Sequence, residues 1–213
     1  MPKEIHKLLL LAVALVSVVS LPALGQTAKP SDTLHEMAKK AGGKFVLRYR
    51  PNRSTIYANV EELAKRSDII IIGRTLGHRP SLRPDGNFIT KDYLVKVQEV
   101  IKGDLPDGGS IVVSLPGGAY QFPDGTLVAV MPIGQREAED QRIYIFFLKA
   151  KKQNSVFQGY LLASETQGLF GLIDGHVEPT DSVAADPVVV KYRGRSAAEF
   201  LGQVHKAVPR KKK

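Results

Sequence analysis

Apolar residues dominate Leu8–Leu21, broken only by Ser17 and Ser20, and no later run is as long. Beyond it the pattern becomes periodic. Leu34, Met37, Ala38 and Ala41 share one helical face, and Gly42-Gly43 stops that helix, which predicts a short helix over 32–41. Lys44 to Tyr49 fits a strand and Pro51–Ser54 a turn. A second short helix starts at Asn59, with Glu62 at the capping-box position, and ends near Ser67.

From Asp68 to Pro179 the spacing is that of antiparallel strands. Ile69–Ile72 is a β-branched run suited to a strand covered on both faces. Tyr93, Val95 and Val97 alternate with Leu94, Lys96 and Gln98, one buried and one wet face. Ile111–Val113, Leu127–Met131, Ile143–Leu148, Val156–Ala163 and Leu169–Ile173 complete the set. Asp-Gly pairs at 85–86, 107–108, 124–125 and 174–175 punctuate it, as turns needing positive φ require. The expected fold is mainly β. The spacing fits an antiparallel barrel of five or six strands or a sandwich, carrying short N-terminal helices and a C-terminal amphipathic helix. That last helix opens at Ser196, with Glu199 three residues on, and places Ala197, Phe200, Leu201, Val204 and Val208 on one face before Pro209.

Lys3 and Lys7 precede the long apolar run, and Pro22-Ala23-Leu24-Gly25 follows it. This is the form of a secretory signal over 1–25, cleaved between Gly25 and Gln26. A retained membrane anchor is the alternative, though a spanning helix needs about 20 apolar residues. The expected location is therefore periplasmic or extracellular. The mature chain divides into an extension with a short helix (26–59), a β-barrel domain (60–178), a linker with the C-terminal helix (179–209) and a basic tail (210–213). The 213 residues include no Cys, which excludes disulfides, thiolate metal sites and cysteine nucleophiles. Net charge is +9, with Arg210, Lys211, Lys212 and Lys213 clustered at the end. Such a tail is expected to make weak electrostatic contact with an anionic membrane surface or other polyanion.

Three stretches resemble a known pattern: Arg66–Arg74 with its Ser67-Asp68 opening, Tyr93–Gly103 closing on Lys102-Gly103, and Arg142–Leu148. Their order is similar to uncharacterised exported bacterial β-domains and to the netrin-like modules of tissue inhibitors of metalloproteinases, which are OB-type barrels. Thr166–Phe170 with Asp174-Gly175 resembles the closing segment of the bacterial group. The resemblance spans about 60–178 and implies a fold, an OB-like barrel. It does not carry metalloproteinase inhibition, because those inhibitors offer an N-terminal cysteine to the target's zinc and this chain has none.

Candidate chemistry is sparse. His35-Glu36 starts like a zinc-protease helix, but Lys39 stands where the second His belongs. No serine-hydrolase elbow, P-loop or dinucleotide fingerprint occurs, and Pro116-Gly117-Gly118 has no helix after it to cradle phosphate. No pattern points to a cofactor or a metal. His35, His78, His176 and His205 are scattered singly, and Glu137, Glu139 and Asp140 share one loop. Arg74, Arg79, Arg83, Lys91 and Lys96 gather around the first hairpin, with Phe88, Tyr93, Tyr144 and Phe146 on strands. Those are the ingredients of a nucleic-acid-binding OB surface, but export removes the chain from cytoplasmic nucleic acid. The leading expectation is a non-catalytic exported module that binds a protein, peptide or envelope polymer. A hydrolase with a site assembled from scattered residues is the alternative, and a polyanion binder the third.

Overall fold

A computed structural model describes residues 32–105, 109–150, 158–182 and 185–208. The proposed signal with Gly25 and Gln26, and the tail from Arg210 to Lys213, lie outside the described residues. Helix α1 spans Leu34–Lys40; Thr33 Oγ1 accepts from Glu36 N, and Glu36 Oε2 accepts from Thr33 N, so the capping box closes reciprocally. Strand β1 (Lys44–Tyr49) and helix α2 (Val60–Arg66) follow, the latter capped by Asn59. The long hairpin β2 (Ile69–Leu82) and β3 (Ile89–Lys102) leads to β4 (Ser110–Pro116), β5 (Gly118–Gln121), β6 (Leu127–Pro132) and β7 (Ile143–Lys149). The chain ends with β8 (Leu161–Leu162), β9 (Leu169–Ile173), β10 (His176–Pro179), α3 (Pro187–Tyr192) and α4 (Ala197–Ala207). Among the described residues no helix is long and apolar enough to cross a membrane.

The fold is mainly β, as expected, but the strands form two sheets and no closed barrel. The larger sheet runs β10-β9-β7-β2-β3-β4, with β8 attached to β7. The smaller one is β1-β6-β5, and in it β1 and β6 pair in parallel. Strand β6, expected in the barrel, thus leaves it to join β1 from the N-terminal extension and β5, a strand the sequence pattern does not announce. The expected strand 156–163 is reduced to β8, with Tyr160 before it; 156 and 157 lie outside the described residues. Tyr160 alone reaches the far edge, donating N–H to Val112 O at 2.8 Å and accepting from Ser114 N at 2.9 Å, a single parallel bridge. Gly159 permits this approach, since a Cβ there would lie 2.7 Å from Val112 O.

Ile69–Ile72 is buried on both faces, as the unbroken apolar run predicts. Ile70 and Ile72, with Ile145 and Phe147, pack on the helical layer of Leu63, Tyr192, Phe200 and Val204. Ile69 and Ile71 face Tyr93, Val95, Val113 and Phe146. A third core joins α1 and the small sheet to the hairpin tip through Leu34, Ile89, Phe122 and Val130.

The quoted motifs hold these layers in place. Ser67 Oγ donates to Leu63 O at 2.7 Å and finishes α2, while Asp68 Oδ2 accepts from Ala150 N. Lys102 Nζ donates to the carbonyls of Ala64, Lys65 and Ser67, capping the same helix end from β3. Gln167, fully buried, accepts from Tyr57 N and donates to Tyr57 O and to Asp186, while Thr166 Oγ1 donates to the other oxygen of Asp186.

Candidate functional site

The end of the β2–β3 hairpin meets the small sheet at an angle that leaves a crevice of about 330 Å³, lined by Tyr49, Arg83, Phe88, Thr90, Ser114, Pro116, Leu161, Leu162 and Glu165. That volume is enough for a small ligand or the end of a larger one. The lining comes from the end of β1, the β2–β3 hairpin, β4, β8 and the loop after β8.

Glu165 is fixed on one wall. Its Oε2 accepts from Tyr49 Oη at 2.9 Å and from Asn52 N at 2.8 Å. Burial, with the Glu165 charge adding to it, pushes the Tyr49 phenol well above its ordinary pKa, so it stays protonated and donates. The Tyr49 and Phe88 rings meet edge to face at 5.3 Å. On the opposite wall Asp92, only 4% exposed, holds two lining hydroxyls: Ser114 Oγ donates to its Oδ1 at 2.6 Å and Thr90 Oγ1 at 3.2 Å. Asp92 Oδ2 is buried without a hydrogen-bond partner, a costly arrangement that marks this wall as other than packing. Ser114 Oγ also accepts from Gly159 N at 3.0 Å, so its hydroxyl is committed on both sides. Arg83 reaches Asp85 at 2.8 Å and contributes the one cation of the lining.

The structure disperses the residues singled out in the sequence. His35 pairs with Asp124 at 2.9 Å, His78 with Asp140 at 3.3 Å and His205 with Glu99 at 3.4 Å, each at the surface; His176 lies exposed at the start of β10. His205 lines a broad groove of about 1200 Å³ between the β3 exit and α4, but no hydroxyl or thiol side chain lines it with the histidine. Glu137 and Glu139 pair with Lys91 and Arg142, and Asp140 lies 3.3 Å from the His78 ring nitrogen. Among the described residues no group of three His, Asp or Glu could hold a metal.

The hairpin cations are engaged too. Arg74 donates to Gln141 O, Arg79 to Gln158, Arg83 pairs with Asp85 and Lys91 with Glu137, leaving Lys96 simply exposed. Of the aromatics named with them, Tyr93, Tyr144 and Phe146 are core residues, and Phe88 lines the crevice. No pattern in the sequence marks Glu165, which lies 116 residues from Tyr49. Asp92 falls on the alternating wet face of β3, and only burial under the Gln158–Tyr160 segment changes its meaning. Against known proteins, the chain matches no family model and no curated protein.

Proposed function

We propose that the protein is a non-catalytic binding module whose crevice takes a neutral, hydroxyl-rich end group of an envelope polymer. The crevice itself carries this reading: apolar walls from Phe88, Pro116, Leu161 and Leu162, with donors and acceptors converging from Tyr49, Thr90, Arg83 and Glu165. One cation against one carboxylate leaves no net charge to select an anion, whereas alternating hydroxyl, guanidinium and carboxylate groups match a ring of hydroxyls. In this reading the Ser114 hydroxyl, which donates to Asp92 and accepts from Gly159 N, holds the wall together and does not attack a ligand.

The same reading treats the circuit β7-β2-β3-β4, returning through Tyr160 and β8 to β7, as an OB-like barrel of the netrin-like kind. Residues 1–25 act as an export signal, and Arg210–Lys213 as an electrostatic foothold on an anionic surface.

Calorimetric titration of the purified protein with soluble cell-envelope oligosaccharides is expected to show binding. Glu165→Gln removes the charge that orders Tyr49 and Asn52, and should weaken that binding about tenfold without changing the melting midpoint appreciably. Equal affinity in Glu165→Gln would remove the crevice from the account.

A further inference from the structure

The outer side of β1 is a sheet edge, and its chemistry is separate from that of the crevice. Among the described residues strand β1 lies at the end of the small sheet and pairs only with β6. Gly43 O and Tyr49 O accept from Leu127 N and Ile133 N, both at 2.9 Å. By the alternation of a parallel ladder, the N–H and C=O groups of Lys44, Val46 and Arg48 therefore point to the open side. Val46 is 53% exposed and Met131 51%, and Leu127 and Ala129 lie beside them in register on the same face. Lys44 and Arg48 stand two positions either side of Val46 on that face, both exposed.

We infer that this edge accepts a strand from an acidic, extended segment of another protein. The segment would place an apolar residue beside Val46, with acidic residues two positions before and after it. The pattern is symmetric about its centre, so it fits in either strand direction. Backbone hydrogen bonds supply the affinity and the flanking carboxylates the selection.

Charge decides the occupant. A second copy pairing antiparallel about Val46 would set Lys44 against Arg48 on both sides, and parallel pairing would bring like cations together, so self-association is opposed. The chain's own segments outside the described residues contain only Glu4 and Asp107 as acids, against nine Lys and Arg including the 210–213 cluster. They do not supply the complement.

The test is fluorescence anisotropy of the full chain with a labelled, capped peptide of threonines, carrying a central valine and glutamate two positions to either side. Binding is expected. It should fall roughly tenfold when the glutamates become lysines, and disappear when the peptide amides facing the edge are N-methylated. The double variant Lys44→Glu, Arg48→Glu changes only exposed side chains and should reverse the preference toward the lysine peptide. Glu165→Gln should bind the glutamate peptide unchanged, which separates this edge from the crevice. Failure to bind, equal binding of both peptides, or retained binding after N-methylation would overturn the inference. So would a dimer by sedimentation that Val46→Pro abolishes, since the edge would then belong to a second copy.

Discussion

Gly103 shows how a residue legible only as a turn proves to hold two layers together. Its φ is +84°, and a Cβ there would lie 2.6 Å from Asp68 O and 3.0 Å from an Ile69 side-chain carbon. Only glycine fits, because both the left-handed backbone and the close approach exclude a side chain. Lys102 beside it closes the end of α2, so the pair joins β3 to β2 and to the helix in one step. Gly103→Ala is expected to destabilise the protein by about 2–3 kcal/mol, measured as a lower urea midpoint. An unchanged midpoint would mean that the β3 exit does not have this geometry. The residues that resemble known β-domains are thus locks of the scaffold, which is why they speak to fold and leave function unstated. Tyr49, Asp92 and Glu165 carry no comparable signature. Each is an ordinary strand or loop residue until distant segments bring it to the crevice.

At the scale of elements, legibility follows the range of the forces. Helix α1 is readable from its apolar spacing and the Gly42-Gly43 stop, and α2 and α4 from Asn59 and Ser196, which act within one turn of the residues they cap. Helix α3 was missed inside the presumed linker, although Asp186-Pro187 marks its start. With six residues it shows too little periodicity to stand out. The partner of β1 was unreadable, because strand spacing reports faces and says nothing of which distant strand lies alongside.

Two carboxylates hold helix α1: Glu36 within its own cap, and Asp124, which pairs with His35 and Lys39 from beside the small sheet. Glu36 is held below its ordinary pKa, first by the Thr33 backbone N–H and then by the Thr33 hydroxyl. Asp124 is held well below it, first by its hydrogen bonds to Thr126, with His35 and Lys39 adding to them. Groups depressed in the folded state contribute stability above the unfolded pKa of about 4, and lose it as the pH falls through the folded value. Hydrogen exchange should therefore show α1 amides losing protection relative to β2 between about pH 5 and pH 2. Parallel loss in α1 and β2 would contradict this.

Over the whole molecule, three apolar cores share one chain: helices against β2 and β7, the concave side of the larger sheet, and the small sheet against the hairpin tip. Tyrosines are buried in the first two and partly buried in the third. Burial raises the pKa of Tyr49, Tyr57, Tyr93 and Tyr144, in every case as the largest cause. A phenol with a raised folded pKa contributes stability below the unfolded value of about 10, and that stability is lost as the pH rises beyond it. In an alkaline titration these rings should ionise together with the loss of far-ultraviolet circular dichroism. Full tyrosinate absorbance with an intact β spectrum would show that they are open to solvent.

The mainly β class was readable from period and turns, whereas the division into two sheets, and with it the crevice, arises only from their packing. The most direct test of the crevice as the binding site is a two-dimensional NMR titration of isotope-labelled protein with an envelope oligosaccharide, followed by recovery of the ligand. The account predicts shifts centred on Tyr49, Arg83, Phe88, Thr90 and Glu165, saturating with concentration, and a ligand recovered intact. Shifts centred on the His205 groove, or a ligand recovered cleaved, would contradict it.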